Sequence, residues 1–365
     1  MNAFTKEDLK RFQAECLNDK EQRSLAKIAE WFSYWQNAVY VAFSGGKDSS
    51  VLADLCGYWC SIIGATLYLV FVNTGLEYPE IQKHVKFFAE YLRNKYGIEV
   101  VLEIIRPEMR FDEVIKTYGY PLISKEVSKT VSAARRLDSK FGDVCRDKLN
   151  GTHKQKDGNI SLFNCSKYKP LLDVDFDISD MCCSVMKKKP SHTYAKRTGR
   201  KCITAQMADE SRLRTQQWLK NGCNGFDLST PVSNPMSFWT EQDVLQYIKE
   251  RNIPIASVYG DIEYVVEPSQ MRLSDFGIEC GAPEALQTSG CHRTGCIFCA
   301  FGCHLEESPS RFERLKETHP KQYDYCMNGG EYDENGVWLP NKEGLGMRHV
   351  FEELNKIYGD DFIKY

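Results

Sequence analysis

Short apolar runs alternate with amphipathic segments along the first third of the chain. Residues 39–43, 66–72 and 98–105 are nearly continuous apolar runs rich in β-branched side chains, which predicts buried strands. Between these runs, residues 49–59 and 81–96 carry apolar positions at helical spacing. Strands that alternate with helices in this way predict an α/β fold, with a mostly parallel sheet covered by helices on both faces.

Two further regions flank this alternating pattern. Residues 5–36 carry apolar positions at helical spacing, which predicts a pair of N-terminal helices with a structural role. Beyond Leu305 the chain is polar with scattered apolar anchors, which predicts a small cysteine-containing C-terminal appendage. We therefore expect N-terminal helices at 1–37, the α/β domain at 38–260 with a basic insertion at about 118–160, and a C-terminal region at 261–365.

Composition narrows the class of protein. Of the 365 residues 42% are hydrophobic, which is enough for a core of ordinary size. The formal net charge is −3, so attraction to a polyanion would have to come from a local patch. The chain has no apolar run of membrane-spanning length, and its first residues lack the apolar region of a signal peptide. We therefore expect a cytoplasmic protein that does not enter a membrane.

The cysteine count is high, and the clustering of the cysteines is informative. In a chain of this length expected in the cytoplasm, clustered cysteines indicate metal binding or redox chemistry rather than disulfides. The scattered cysteines are typical of small buried apolar side chains. Of the 15 cysteines, the clustered ones are Cys182, Cys183, Cys291, Cys296, Cys299 and Cys303.

A candidate phosphate-binding loop follows the first predicted strand directly. Residues 44–49 read SGGKDS, and a helix is predicted to begin beside them. Gly45 and Gly46 can take positive φ and turn backbone N–H groups toward an anion, while the helix N-terminus adds its dipole. A Walker A loop needs four residues between its first glycine and its Gly-Lys pair, whereas Lys47 follows the two glycines at once. The sequence therefore predicts a phosphate cradle of another kind.

The motif SGGKDS resembles the PP-loop of the N-type ATP pyrophosphatases, which adenylate a substrate and release pyrophosphate. The resemblance implies an adenine nucleotide alpha-hydrolase-like, Rossmann-like fold with ATP and Mg²⁺ as ligands. It implies that Lys47 neutralises phosphate charge and that Asp48 helps to hold Mg²⁺ against the leaving pyrophosphate. It also implies nucleotide contacts at Ser44, Gly45, Gly46, Ser49 and Ser50.

A second loop, NTGLEYPE at residues 73–80, follows the second predicted strand. It resembles a segment of the phosphoadenosine phosphosulfate (PAPS) reductase branch of PP-loop proteins, in which an aspartate usually stands at the position of Asn73. The amide removes a carboxylate near the nucleotide, which weakens the expectation of a metal or ribose contact there. The resemblance implies nucleotide contacts at Asn73, Thr74, Gly75 and Glu80.

Two later segments resemble the same branch. Cys182 and Cys183 precede a basic run that ends beyond Pro190, and Lys187 in this run is expected to face a phosphate or sulfate. Residues 203–214 resemble a strand followed by an "ESxxR" motif. In this segment we expect Glu210, Ser211 and Arg214 at the nucleotide or its oxyanion substrate, with Arg214 catalytic. An ordinary capped helix start would also explain Ser211.

The later Cys296-x-x-Cys299 spacing lets two thiolates on a tight turn reach one metal or cluster. Two ligand sets remain open. As the family pattern of an adjacent pair plus a later CxxC implies, Cys182, Cys183, Cys296 and Cys299 would hold a [4Fe–4S] cluster. Alternatively, a local quartet would hold Zn²⁺ or a cluster by itself. Its members are Cys291, Cys296, Cys299 and Cys303.

The intact loop favours the use of ATP, since reductases of this branch bind a substrate with no β,γ-pyrophosphate to release. The combination with cluster cysteines resembles sulfur-inserting members such as tRNA thiolases and DndC-type phosphorothioation proteins. We therefore expect an ATP pyrophosphatase that adenylates an acceptor for sulfur transfer. A first alternative is a sulfonucleotide reductase that releases sulfite, for which Cys280 is a weak candidate nucleophile. A second is a nucleotide-binding regulatory protein with a structural cluster or zinc.

The acceptor and partner proteins are less constrained by the sequence. Residues 125–156 and 187–201 are rich in Lys and Arg, which would suit a nucleic acid but equally a phosphorylated or sulfated small molecule. Solvated helical faces would also explain such runs. A sulfur donor or thiol reductant protein and a homo-oligomer are further expectations.

Overall fold

The computed structural model describes residues 3–136, 140–266 and 284–365. The chain divides into two compact units, and each unit is built from segments that are distant in sequence. Unit 1 comprises Met1–Asn73, Glu77–Ile105 and Ser191–Thr294. Unit 2 comprises Thr74–Leu76, Arg106–Pro190 and Gly295–Tyr365.

Helices and strands are numbered in chain order. The helices are α1 (Lys6–Gln13), α2 (Leu17–Tyr34), α3 (Lys47–Ile63), α4 (Pro79–Tyr96), α5 (Phe111–Tyr118), α6 (Lys125–Arg135), α7 (Lys140–Asn150), α8 (Lys189–Thr198), α9 (Arg212–Asn221), α10 (Glu241–Arg251), α11 (Arg311–Thr318), α12 (Pro320–Met327) and α13 (Met347–Tyr358). The strands are β1 (Val39–Ala42), β2 (Leu67–Val72), β3 (Val100–Ile105), β4 (Leu122–Ile123), β5 (Lys201–Ile203), β6 (Asn224–Gly225), β7 (Val232–Ser233), β8 (Ile262–Val266), β9 (Glu284–Thr288), β10 (Ala300–Phe301), β11 (Glu331–Tyr332) and β12 (Trp338–Leu339).

Unit 1 is organised around a six-stranded sheet with the order β3-β2-β1-β5-β7-β6. All neighbouring strands run parallel except β6 and β7, which are antiparallel. The predicted α/β class and the three predicted strands are confirmed. The strand order reverses at β1, because β2 and β3 lie on one side and β5 on the other. Ligands of open parallel sheets bind at such a reversal, beyond the carboxyl ends of the strands.

Helices cover both faces of this sheet. Side chains alternate between the faces along a strand, so Tyr40 and Val41 point in opposite directions. Tyr40 and Val70 pack against Tyr194 of α8 in a buried cluster on one face. On the other face, the ring of Phe43 lies 5.4 Å from that of Phe88 in α4. Apolar side chains on both faces of each strand are therefore the reason that helices pack on both sides of the sheet.

The predicted N-terminal helical pair is confirmed as α1 and α2. A buried ion pair joins α2 to α10, since Lys20 Nζ lies 2.7 Å from Asp243 Oδ2. Trp239 Nε1 also donates a hydrogen bond of 2.8 Å to Ser24 Oγ. A lysine that is buried must be paired, so these contacts fix α2 against α10 and the residue before its N-cap.

Unit 2 is mainly helical, with the short parallel pair β4–β10 and the antiparallel pair β11–β12. Arg135 at the end of α6 donates to the carbonyl oxygens of Leu171, Val174 and Phe176, which ties the segment before the cysteine pair to this helix. In the C-terminal part, Tyr120 Oη donates a buried hydrogen bond of 2.8 Å to the carbonyl oxygen of Leu345.

None of the helices in the described ranges combines the length and apolar character that crossing a membrane requires. Cys280, the candidate reductase nucleophile, lies outside the described residues.

Candidate functional site

The loop from Ser44 to Gly46 connects β1 to α3 by a sharp turn. Gly45 has φ +74°, a left-handed conformation that favours glycine. A Cβ atom on Gly45 would lie 2.7 Å from Val85 Cγ2 and 2.9 Å from Ile81 Cγ2, so no side chain fits. Gly46 is the N-cap of α3 and has no side chain, so no side-chain hydrogen bond caps this helix. Of the two glycines expected to turn the loop, Gly45 has the left-handed conformation, whereas Gly46 is extended with φ −78°.

Serine hydroxyl groups brace this loop from within. Ser49 Oγ donates to the carbonyl oxygen of Gly46 at 2.8 Å and lies 3.0 Å from Ser44 Oγ. Because Ser49 has only one hydroxyl proton, Ser44 is the donor between the two hydroxyls. Ser50 Oγ lies 3.3 Å from Nε2 of the buried His84. These predicted nucleotide-contacting serines thus also hold the loop in shape.

Lys47 is the buried cation of the loop. Its Nζ atom lies 2.9 Å from Glu241 Oε1, 3.4 Å from Asp48 Oδ1 and 3.1 Å from the carbonyl oxygen of His292. Burial lowers the pKa of Lys47, but the carboxylates of Asp48 and Glu241 outweigh burial and leave the pKa above its ordinary value. Lys47 is therefore a permanently charged group at the start of α3.

Asp48 carries a buried carboxylate oxygen without a hydrogen bond. Oδ1 is enclosed and has no hydrogen-bond partner among the described residues, although the Lys47 ammonium group lies 3.4 Å away. A buried polar atom that is left unpaired is costly unless a ligand completes it. An enclosed carboxylate oxygen at a phosphate loop fits Mg²⁺, which binds through one or two carboxylates together with phosphate oxygens.

Four residues of unit 1 that were not predicted as site residues surround Lys47. The backbone N–H of Lys47 donates to the hydroxyl of Tyr259 at 3.1 Å. That hydroxyl lies 2.6 Å from Thr294 Oγ1. No local motif marks these positions, since they lie more than 190 residues beyond the loop. The four residues are Glu241, Tyr259, His292 and Thr294.

The "ESxxR" segment lies at the start of α9. Ser211 is the N-cap of this helix and accepts a hydrogen bond from the backbone N–H of Arg214 at 3.3 Å. Glu210 accepts from the backbone N–H of Met207 at 2.9 Å and forms an ion pair with Arg214. Burial and the charge of Arg293 lower the pKa of Arg214, whereas Asp48 acts to raise it. Of the three residues, Arg214 is thus the one coupled to the loop.

Residues of the second loop fall in different units. Asn73 and Glu80 belong to unit 1, and Thr74 and Gly75 to unit 2. The backbone N–H of Asn73 donates to the carbonyl oxygen of Ile105 at 2.8 Å, which extends the β2–β3 pairing. Glu80 lies in the first turn of α4, where a negative charge complements the helix dipole. Their predicted nucleotide contacts stay predictions.

In unit 2, Cys182 and Cys183 directly precede a π-helical turn at Ser184–Lys188. Cys182 Sγ lies 4.0 Å from Cys183 Sγ and donates to it. This hydrogen bond, together with the cations Lys125 and Lys187, holds the pKa of Cys183 well below its ordinary value against the effect of burial. A π turn is uncommon and often marks a functional position.

The CxxC segment of unit 2 forms the expected tight turn. The backbone N–H of Cys299 donates to the carbonyl oxygen of Cys296 at 3.0 Å, and Arg311 donates to the carbonyl oxygen of Cys299 at 2.8 Å. The appendage residue Arg311 thus packs on this loop. Cys303 is buried, and burial raises its pKa to about 12. Its thiol lies 3.0 Å from the carbonyl oxygen of Ala300.

The four predicted ligands act on one another electrostatically. The hydrogen bond to Cys183 and burial raise the pKa of Cys182 most. The charges of Cys183, Cys299 and Cys296 raise it further. A donor set of thiols is the chemistry that Fe–S clusters and Zn²⁺ require. Within the described ranges, however, no group of three or more His, Cys, Asp or Glu residues is arranged to hold a metal ion. The thiols therefore form a suitable donor set but not an assembled coordination sphere.

Comparison with protein families gives a match that covers most of the chain. Residues 38–145 and 147–301 match the model of the phosphoadenosine phosphosulfate reductase domain, which is more than half of the 365-residue chain. This domain has the predicted adenine nucleotide alpha-hydrolase-like fold. A comparison with curated proteins found no match.

Proposed function

The chain belongs to the phosphoadenosine phosphosulfate reductase domain family, and from this premise we propose that it is an ATP pyrophosphatase acting in sulfur transfer. ATP with Mg²⁺ would bind at the loop, and an acceptor would be adenylated with release of pyrophosphate. The observation that carries this proposal is the buried, charged Lys47 beside Asp48, whose enclosed Oδ1 has no hydrogen bond among the described residues. A reductase substrate has no pyrophosphate for such a group to stabilise.

The proposed reaction has two steps. In the first, an oxygen of the acceptor attacks the α-phosphorus of ATP, and the bond from this phosphorus to the bridging oxygen breaks. Lys47 and the N-terminus of α3 stabilise the negative charge that develops on the departing pyrophosphate. Asp48 would hold Mg²⁺, which supplies further charge neutralisation when bound. In the second step, a sulfur nucleophile displaces AMP from the activated acceptor.

We assign the sulfur chemistry to the cysteines of unit 2. Cys182, Cys183, Cys296 and Cys299 would hold a [4Fe–4S] cluster, which would deliver or retain sulfur when bound; Zn²⁺ is the alternative. The mutual effects of these thiols on their pKa values support this set. The local quartet is less well supported. Cys303 is a neutral thiol that donates a hydrogen bond to the carbonyl oxygen of Ala300. Cys291 belongs to unit 1, whereas the other three members of the quartet belong to unit 2.

The acceptor is proposed to be a nucleic acid, by analogy with the DndC-type and tRNA thiolase members. Several cations of the two basic stretches have internal partners, including Arg146 with Asp143, Lys148 with Glu126 and Arg197 with Glu103. Lys154 and Lys156 are exposed and have no carboxylate partner within the described part of the chain. These two lysines are the most suitable phosphate contacts of the stretch at 125–156.

The first experiment measures conversion of radiolabelled ATP to AMP and pyrophosphate with tRNA, DNA and small oxyanions as acceptors. We expect acceptor-dependent turnover that falls at least about 100-fold in Lys47→Met, because a charge-assisted contact to the leaving group is lost. Asp48→Asn should raise the Mg²⁺ concentration needed for half-maximal rate. Lys249→Met, at an exposed lysine of α10, is the matched control. Turnover that is indifferent to Lys47 would refute the proposal.

The second experiment measures iron, zinc and acid-labile sulfide in anaerobically purified protein. We expect about four iron and four sulfide per chain, with loss of both in Cys183→Ser and retention in Cys303→Ser. Stoichiometric zinc without sulfide would favour the structural-metal alternative. Loss of iron in Cys303→Ser, with Cys183→Ser unaffected, would instead favour the local quartet.

The family description itself favours a second candidate, sulfonucleotide reduction. Release of sulfite from adenylyl sulfate or PAPS with a thiol reductant protein, abolished in Cys280→Ser, would establish that reaction. We expect no sulfite release, because the intact loop is suited to pyrophosphate. Tight ATP binding with no turnover of any substrate would point instead to a regulatory protein.

A further inference from the structure

A segment of unit 1 far from the loop in sequence is built onto it. This segment, residues 288–294, is called the strap. The backbone N–H of Gly290 donates to the carbonyl oxygen of Tyr259, and that of Cys291 donates to the carbonyl oxygen of Val258, each at 2.9 Å. A Cβ atom on Gly290 would lie 2.5 Å from the carbonyl oxygen of Val258. Glycine therefore permits a backbone approach that holds the strap against the turn at Val258 and Tyr259.

Two hydrogen-bond connections join the end of the strap to Lys47. The carbonyl oxygen of His292 accepts from Lys47 Nζ at 3.1 Å. Thr294 Oγ1 lies 2.6 Å from the hydroxyl of Tyr259, which accepts the backbone N–H of Lys47. A Cβ atom on Gly46 would lie 3.1 Å from the Tyr259 hydroxyl and 3.3 Å from Thr294 Oγ1. The strap is therefore a wall of the phosphate loop.

Arg293 lies between these two anchors. Its neighbours His292 and Thr294 are both fixed to the loop, so the position of its backbone is set by the same contacts. Its side chain is exposed and has no carboxylate partner in the described ranges. Arg293 is also close enough to Arg214 for their charges to repel, and Arg214 in turn is attracted by Asp48. Arg214 has Glu210 as its carboxylate partner, whereas Arg293 has none in the described ranges. Two guanidinium groups in one neighbourhood with a single carboxylate partner between them favour an anionic ligand.

We infer that the strap completes the phosphate site and that Arg293, together with Arg214, binds the pyrophosphate portion of a nucleoside triphosphate. The inference rests on the proposed use of ATP. Lys47 is a single ammonium group already shared with Asp48 and Glu241, so it neutralises little of the charge of a pyrophosphate group. Guanidinium groups can bind phosphate oxygens in a bidentate manner and would supply the missing charge. Arg293 would be a binding residue, and Tyr259 and Thr294 would be positioning residues.

The test is isothermal titration calorimetry of the full chain with pyrophosphate, with ATP and Mg²⁺, and with AMP. In Arg293→Ala we expect the Kd for pyrophosphate and for ATP to rise at least about tenfold, as loss of a charge-assisted hydrogen bond predicts. The Kd for AMP should change less than about twofold. Arg293→Lys should recover part of the loss, because it restores charge but not the bidentate geometry. Thr294→Val should weaken pyrophosphate binding less than Arg293→Ala does.

Arg251→Ala is the control, since Arg251 is a half-exposed arginine of α10 that pairs with Glu21. It should leave all three Kd values unchanged. The thermal unfolding temperature of Arg293→Ala should match that of the natural chain, because the side chain is exposed. Equal pyrophosphate binding in Arg293→Ala and the natural chain would overturn the inference about Arg293 but not the proposed function. The same holds if Arg293→Ala weakens AMP binding as much as pyrophosphate binding. Failure of the natural chain to bind both pyrophosphate and ATP would overturn the proposed function and the inference together.

Discussion

The charge of Lys47 is protected by its surroundings. Burial alone would favour the neutral amine, but two carboxylates within 3.4 Å reverse that preference. A cation that stays charged in an enclosed site interacts with a phosphate more strongly than one exposed to water. At the residue scale, the site therefore combines a desolvated ammonium group with an enclosed carboxylate oxygen that has no hydrogen bond among the described residues, which is a suitable arrangement for Mg²⁺ and phosphate.

Gly45 gives a prediction at this scale. Gly45→Ala should lower the free energy of unfolding by about 2 to 4 kcal/mol, because the new Cβ has both an unfavourable φ and a clash with two core side chains. ATP binding should be lost with it. The measurements are urea unfolding and titration calorimetry.

Gly64→Ala is a matched control at the other end of α3. Gly64 has φ +64°, but a Cβ there meets no atom within 4 Å. Gly64→Ala should lower the free energy of unfolding by only about 1 kcal/mol, because backbone strain is the sole cost, and it should leave ATP binding intact. If both variants lower the free energy of unfolding by the same amount, the close contacts with Val85 and Ile81 are not what requires glycine at position 45.

At the scale of elements, helix ends bring the site together. The N-terminus of α3 provides Lys47, the N-terminus of α9 provides Arg214, and the N-terminus of α10 provides Glu241. Helix N-termini carry partial positive charge, so their convergence near one loop suits an anionic ligand.

Ser211 tests the function of one such helix end. Ser211→Ala should lower the free energy of unfolding by about 1 kcal/mol, because α9 loses its N-cap. Ser211→Asp, which keeps a capping oxygen, should restore the stability. Urea unfolding of the three chains gives the comparison. A Ser211→Ala variant as stable as the natural chain would show that the cap contributes nothing.

ATP affinity measured on the same three chains addresses the predicted nucleotide contact of Ser211. Loss of affinity in Ser211→Asp despite normal stability would indicate that the hydroxyl faces an anion. Equal affinity in all three chains would leave capping as its role.

At the scale of the whole molecule, the two units are assembled from interleaved segments. The chain first leaves unit 1 for Thr74–Leu76. It leaves unit 1 again after Ile105, returns at Ser191 and leaves it a last time after Thr294. At the last crossing, only one residue lies between Thr294 and Cys296. Thr294 is hydrogen-bonded to Tyr259, which contacts the phosphate loop. The phosphate site and the cysteine turn are therefore neighbours along the chain although they belong to different units.

The stability of unit 1 should depend on pH through His84. Burial lowers the pKa of His84 from 6.5 to about 4, so the folded protein keeps the neutral ring. As the pH falls below 6.5, the unfolded chain binds a proton that the folded chain cannot bind until about pH 4. The free energy of unfolding should therefore fall by up to about 3 kcal/mol between pH 6.5 and 4, and stay constant above this range.

Urea unfolding at a series of pH values measures this effect, with His84→Gln as the reference chain. Subtracting the two profiles removes the contribution of the other titrating groups. Identical pH profiles for both chains would contradict the assignment to His84.

The sequence by itself determined the first three strands, the helices between them, the N-terminal helical pair and the separate motifs. Short continuous apolar runs rich in β-branched side chains favour buried strands in a covered sheet, and Gly45 allows the tight turn that follows β1. Ser211 is an N-cap because its hydroxyl satisfies a backbone N–H group three residues along the chain. Such properties depend on neighbours within a few residues, so the chain order is sufficient to predict them.

Only the tertiary structure decided which distant residues surround these motifs. Glu241 occupies an ordinary first-turn position and Tyr259 an ordinary turn, yet both contact Lys47. The strap has no phosphate-binding motif, and the cation Lys125 lies beside Cys183 rather than only on a solvated helical face. Contacts of this kind depend on how strands and helices pack, since a side chain acquires its partners from elements that are remote in sequence. The physical reason is that local patterns encode backbone form, whereas charge and burial at a site come from all the elements that meet there.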